Sequence, residues 1–154
     1  MPQNGQQTII FFIPVECEEE PSCQTAFAKR SESESFCEFY DGKENRWGWN
    51  TLLDTDGGPY TFDVWAGAGQ CDTGKGVLVG TATLSFENGG VSVTTDFGDY
   101  TINVEHIYAG TTPYPIKNGE PTLAPGKYYV EDLTNEDEAY VILHWEVCGE
   151  FDED

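Results

Sequence analysis

Alternation of large apolar with small or polar side chains is the feature that most constrains this chain. It recurs along most of the sequence, with turn residues between the runs, while the 3.6-residue period of amphipathic helices is nearly absent. In 77–86 the positions Leu78, Ala82, Leu84 and Phe86 share one face, and near the end Val141, Leu143, Trp145 and Val147 do the same. The pattern predicts strands over 9–15, 24–29, 35–39, 60–66, 77–86, 91–95, 100–107, 127–130 and 140–147. Glu87-Asn88-Gly89-Gly90 predicts a tight hairpin, because Asn and Gly accept the positive φ such turns demand. The expected fold is therefore all-β, an antiparallel β-sandwich of about nine strands, with a barrel as the other arrangement the spacing allows. Long connections are expected at 41–45, 53–59 and 110–125. The last holds Pro113, Pro115, Pro121 and Pro125 and reads as a rigid loop.

A chain of 154 residues fits one domain with a core of its own, and 14% aromatic residues supply large buried areas despite an apolar fraction of only 38%. The division expected is an N-terminal arm over 1–22, a β-domain over 23–149 and an acidic tail over 150–154. With 28 acidic against 7 basic residues the net charge is −21, which disfavours nucleic acid and anionic lipid as partners. The same repulsion makes any assembly depend on salt, divalent cations or a strongly apolar contact. No stretch has the length of a transmembrane helix.

Against that acidic background, Thr8-Ile9-Ile10-Phe11-Phe12-Ile13-Pro14-Val15 is a dense apolar run. As a strand it is apolar on both faces, with Ile9, Phe11, Ile13 and Val15 on one and Ile10 and Phe12 on the other, so it requires cover on both sides. Three placements meet that need: a strand of its own domain, the remnant of a targeting segment, or an arm donated to a neighbouring copy. The run lacks a basic leader and a small-residue cleavage site, so it is not read as an intact signal peptide; an exported chain of this sequence is read as a mature form or an incomplete reading frame.

Cys17, Cys23, Cys37, Cys71 and Cys148 include no C-x-x-C and no zinc-ligand spacing, which points to disulfides. Their pairing is not deducible from spacing. Cys23 and Cys37 are close along the chain, and Cys71 and Cys148 end apolar segments that are candidates to be neighbours. Cys17 is the odd one, a free thiol or a bond to another chain.

Several segments taken together resemble a family: Cys23-Gln24-Thr25-Ala26-Phe27-Ala28, Cys37, Arg46-Trp47-Gly48-Trp49-Asn50, then Tyr60-Thr61-Phe62-Asp63-Val64-Trp65-Ala66-Gly67-Ala68-Gly69-Gln70-Cys71-Asp72. Lys75-Gly76, Val79-Gly80-Thr81, His106-Ile107-Tyr108 and Ala124-Pro125-Gly126 continue the likeness. It is a likeness to an unnamed disulfide-bearing β-domain that recurs in large secreted surface proteins of aquatic Bacteroidetes. The resemblance implies export, disulfides and a sandwich-like module, and it carries no activity to any position. Those modules sit in long multidomain chains. Here one module with the added 1–22 is expected to form arrays by another route.

Local constellations complete the reading. Trp47 and Trp49 flank Gly48 and would share a face if extended, a candidate platform for surface carbohydrate or simply core packing. Asp54 and Asp56 precede Gly57-Gly58, a candidate calcium loop short of the EF-hand pattern, or an ordinary Asp/Gly turn. His106 and His144 fall in predicted strands, and no catalytic motif accompanies them, so no enzyme and no cofactor beyond calcium is expected. The expectation is a non-catalytic extracellular or cell-surface protein that polymerises with copies of itself through the arm, locked by Cys17. The alternative is a monomeric carbohydrate- or calcium-binding module.

Overall fold

The structure, a computed structural model, describes residues 22–39 and 46–151. The apolar run at 8–15, Cys17 and the end of the acidic tail lie outside the described residues. The chain is all-β and antiparallel. Its strands are β1 (Ser22–Lys29), β2 (Glu34–Ser35), β3 (Trp49–Asp54), β4 (Tyr60–Ala66), β5 (Val77–Glu87), β6 (Gly90–Asp96), β7 (Thr101–Gly110), β8 (Ile116–Lys117), β9 (Glu120–Pro121) and β10 (Glu138–Gly149).

The all-β, antiparallel expectation holds, and a sandwich of two separate layers is not shown by the pairing of the described strands. They form one eight-stranded sheet, in the order β2-β3-β10-β1-β4-β5-β6 with β7 on the other side of β10, plus a small β8-β9 ribbon. The central β10 meets β3 at its start and β1 toward its end along one edge, and β7 along the other. The sheet rolls up. Phe97, just past β6, packs edge-on at 5.2 Å against Trp145 of β10, although β1, β4 and β5 lie between the two strands in the pairing order.

The roll follows from side-chain alternation. Its inner face buries Ala26, Ala28, Phe62, Val64, Ala82, Leu84, Val141, Leu143, Trp145 and Val147 in one core. Gly80 permits the tight approach of β6's end: its φ is +154°, and a Cβ there would collide with the Asp96 carbonyl oxygen. A second core lies on the outer face, where Phe27, Tyr108 and Ile142 are covered by Phe36, Trp49, Tyr114 and Leu123 from neighbouring segments. A sheet covered on both faces explains why so many strand residues are large and apolar.

Two cystines hold this arrangement. Cys23 and Cys148 are direct partners in the β1–β10 register, and Cys37 is bonded to Cys71. The neighbour relations suggested by sequence, Cys23 with Cys37 and Cys71 with Cys148, are therefore corrected. The first bond pins two strands remote in sequence. The second ties the helical turn Phe36–Phe39 to the 3₁₀ turn Gly69–Cys71.

Other local readings change as well. The strand expected at 35–39 is mostly that helical turn, and 127–130 holds the end of a 3₁₀ turn, Pro125–Lys127, and an isolated bridge from Val130 to Ala109. Strand β3, absent from the predicted set, forms because β10 offers an unpaired edge beyond the end of β1. The proline-rich connection contains the β8–β9 ribbon, where Pro121 sits at a ribbon end and sacrifices little pairing.

Candidate functional site

Two features stand apart from the packed cores, and the first is an incomplete wall. Strands β6 and β7 follow one another through the tight turn 97–100, closed by Tyr100 N–H donating to the Phe97 carbonyl at 3.1 Å, yet they share no ladder. At the opposite end, the segment after Tyr129 bridges the gap. Ala109 N–H donates to Tyr129 O, Glu131 N–H to Ala109 O and Leu133 N–H to Gly89 O. Among the described residues a window remains, bounded by β6 and the first two-thirds of β7.

The window opens on the inner face. Val93 stands opposite the buried Leu84 and Val91 opposite Phe86, and both valines are only half-buried. Across the gap Ile102, opposite the buried Val147, is 42% exposed. Glu105 lies opposite Trp145 and accepts a 2.8 Å hydrogen bond from its indole Nε1, yet it too is exposed. Inner-face residues beside an unpaired edge lose cover in just this way, and among the described residues neither flanking edge has a ladder partner on the window side.

The second feature is a groove of about 340 Å³ on the outer face, lined by Thr25, Phe27, Arg46, Trp47, Leu123, Pro125 and His144. Its floor is set by strand register: His144 stands opposite Phe27 on one side and His106 on the other. The imidazoles stack at 5.2 Å between centroids, with their Nδ1 atoms 3.1 Å apart, so one donates and the other accepts. Burial first, and His106 second, push the His144 pKa down from 6.5 to about 4. Tyr128 packs edge-on against both rings. Its buried hydroxyl has no hydrogen-bond partner among the described residues, and burial raises its pKa despite the opposing influence of Arg46.

The neutral imidazole has a measurable consequence. Between its folded value of about 4 and its ordinary 6.5, His144 binds fewer protons in the folded than in the unfolded chain. Stability therefore rises with pH across that window and is lost as pH falls through it, by up to about 3 kcal/mol. Urea denaturation from pH 7 to pH 4 is expected to show that loss relative to His144→Gln, in which the carboxylate contributions common to both proteins cancel. A constant difference between the two would overturn the assignment.

The residues singled out from sequence are distributed unevenly. Trp47 lines the groove half-buried, whereas Trp49 is only 3% exposed and belongs to the outer core. Their rings meet edge to face, 5.6 Å apart at 75°, so they do not make a flat two-ring platform. Asp54 ends β3, and its carbonyl accepts from the Tyr60 hydroxyl at 2.8 Å and from Gly57 N–H at 3.2 Å, the hydrogen bonding of an Asp/Gly turn. Asp56 is exposed beside a separate cavity that also touches Glu87 and Thr134. Among the described residues no cluster of three or more His, Cys, Asp or Glu is arranged to hold a metal ion. Sequence reasoning missed the pairing of His106 with His144. The signal was present only as a histidine in each of two strands, and nothing local says that they pair.

Comparison with protein-family models, with curated proteins and with solved structures finds no match for this chain. Two disulfides fit an oxidising compartment, and no helix among the described residues is long and apolar enough to cross a membrane.

Proposed function

We propose that this protein is a non-catalytic extracellular subunit of a surface filament, in which the apolar run 8–15 of one copy enters the β6–β7 window of the next. The single observation that carries the reading is the fit between the two. Among the described residues the window holds no strand, leaving Val91 and Val93 half-buried and Ile102 42% exposed, and the run is a strand-length segment apolar on both faces. An entering strand pairs with both edges, and since β6 and β7 run in opposite directions it is antiparallel to one and parallel to the other.

The acidic linker disfavours return of the run to the window of its own copy. Strand β1 starts at the end of the roll where Asp96, Asp99 and Glu150 lie, and the chain leading into it reads Glu18-Glu19-Glu20-Pro21. Folding the run back across that end brings like charges together. A head-to-tail contact of this kind does not close on itself and so propagates as a fibre. The likeness to secreted surface modules supports the same location, and Cys17, beside the run, is positioned in sequence to bond a junction.

Electron microscopy of the protein secreted from its native cells, in calcium-containing buffer without denaturant, tests the proposal. Filaments with a regular axial repeat are expected. Single compact particles throughout would overturn it and leave the run as a strand of its own domain.

A further inference from the structure

We infer that the outer-face groove binds one neutral pyranose residue of a glycan, with Trp47 against the sugar's C–H face and Arg46 donating to its hydroxyl edge. The inference stands on different residues from the strand window and is independent of the filament reading.

The lining argues for this chemistry. Phe27, Trp47, Leu123 and Pro125 supply apolar walls, and Thr25, Arg46 and His144 supply convergent polar groups, in a volume suited to a small ligand. Trp47 is held upright by edge-on packing against Phe27 at 5.1 Å and against Trp49 at 5.6 Å, which fixes its orientation before any ligand arrives. A pyranose ring has an apolar face and a polar rim, and its hydroxyls both donate and accept.

The polar groups match that dual character. Arg46 only donates, while the Thr25 hydroxyl does either. The Nδ1 of His144 is committed to His106, and the tautomer chosen in that pair decides whether its Nε2 donates or accepts.

Charge selects the neutral sugar. Among the described residues the groove lining holds no carboxylate and one basic side chain, Arg46, so a cationic ligand finds no counter-charge on them. An anionic polysaccharide meets repulsion from a protein of net charge −21 that a single guanidinium does not offset along a polymer.

The test is titration of the full chain, disulfides intact, with methyl glycosides of glucose, galactose and mannose and with methyl glucuronide, followed by indole fluorescence and by calorimetry. Saturable binding of at least one neutral glycoside is expected, weakened about tenfold or more in both Trp47→Ala and Arg46→Gln. Arg46 is exposed, so its glutamine variant keeps the fold even if loss of the indole disturbs packing. No binding by any glycoside, binding of the glucuronide alone, or undiminished affinity in Arg46→Gln would each overturn the inference.

Discussion

Phe11→Asp together with Ile13→Asp is expected to abolish filaments while leaving a folded, disulfide-bonded monomer. The two side chains lie on one face of the run, and each contributes about 1.5–3 kcal/mol when fully buried. Replacing them removes that gain and adds two carboxylates to a junction already opposed by subunits of net charge −21. Sedimentation and circular dichroism on the same sample separate assembly from folding. Filaments as long and abundant as those of the parent protein would refute strand donation. Loss of the folded monomer would show instead that the run is an integral strand of its own domain.

The second large effect concerns the bond between Cys23 and Cys148, which are 125 residues apart in sequence. Closing so long a loop removes much of the unfolded chain's freedom, so serine at both positions is expected to lower stability by about 5 kcal/mol. The same change at Cys37 and Cys71, only 34 residues apart, is expected to cost about 4 kcal/mol. Urea denaturation of the two double variants, each retaining the other bond, measures both values. The order is the informative part, and a smaller loss from the Cys23–Cys148 pair would mean that loop closure does not dominate its contribution. A loss of this size is comparable with the whole stability of many domains, so incomplete folding of the Cys23/Cys148 variant at 37 °C is consistent with the expectation.

The proposals divide the molecule between its faces. On the filament proposal the inner face receives a strand, whereas the outer face has its cover in the segments around Trp49, Tyr114 and Leu123. A filament of such subunits repeats the groove containing Arg46 and Trp47 once per copy. Individually weak sugar contacts then add along the fibre, provided that neighbouring grooves reach the same glycan.

Much of the strand set is legible locally. Strand β4 occupies the predicted 60–66 without change, and β5, β6 and their hairpin follow from alternation and from Asn88 and Gly89, both with positive φ. The misreading of 35–39 has a physical cause. Phe36 is buried under the outer face, while the backbone at Cys37 turns helically to meet Cys71, a demand made by tertiary contact. Strand β3 escaped prediction because Trp49-Asn50-Thr51-Leu52-Leu53-Asp54 lacks a two-residue apolar alternation, and it forms against partner edges on β10, for Thr51 to Asp54, and on β2, for Trp49 and Asn50.

By itself the sequence determined the class: an acidic, disulfide-bearing β-protein with an apolar run needing cover on both faces. Such properties depend on residue type and near-neighbour periodicity, which the linear chain contains in full. Only the tertiary structure decided that Cys23 bonds Cys148, that His106 meets His144, that Trp49 is buried beside a half-open Trp47, and that β6 and β7 share no ladder. Each of these is a matter of register between strands remote in sequence. A shift of one residue sends every side chain of a strand to the opposite face, so the pairing is selected by packing over the whole sheet.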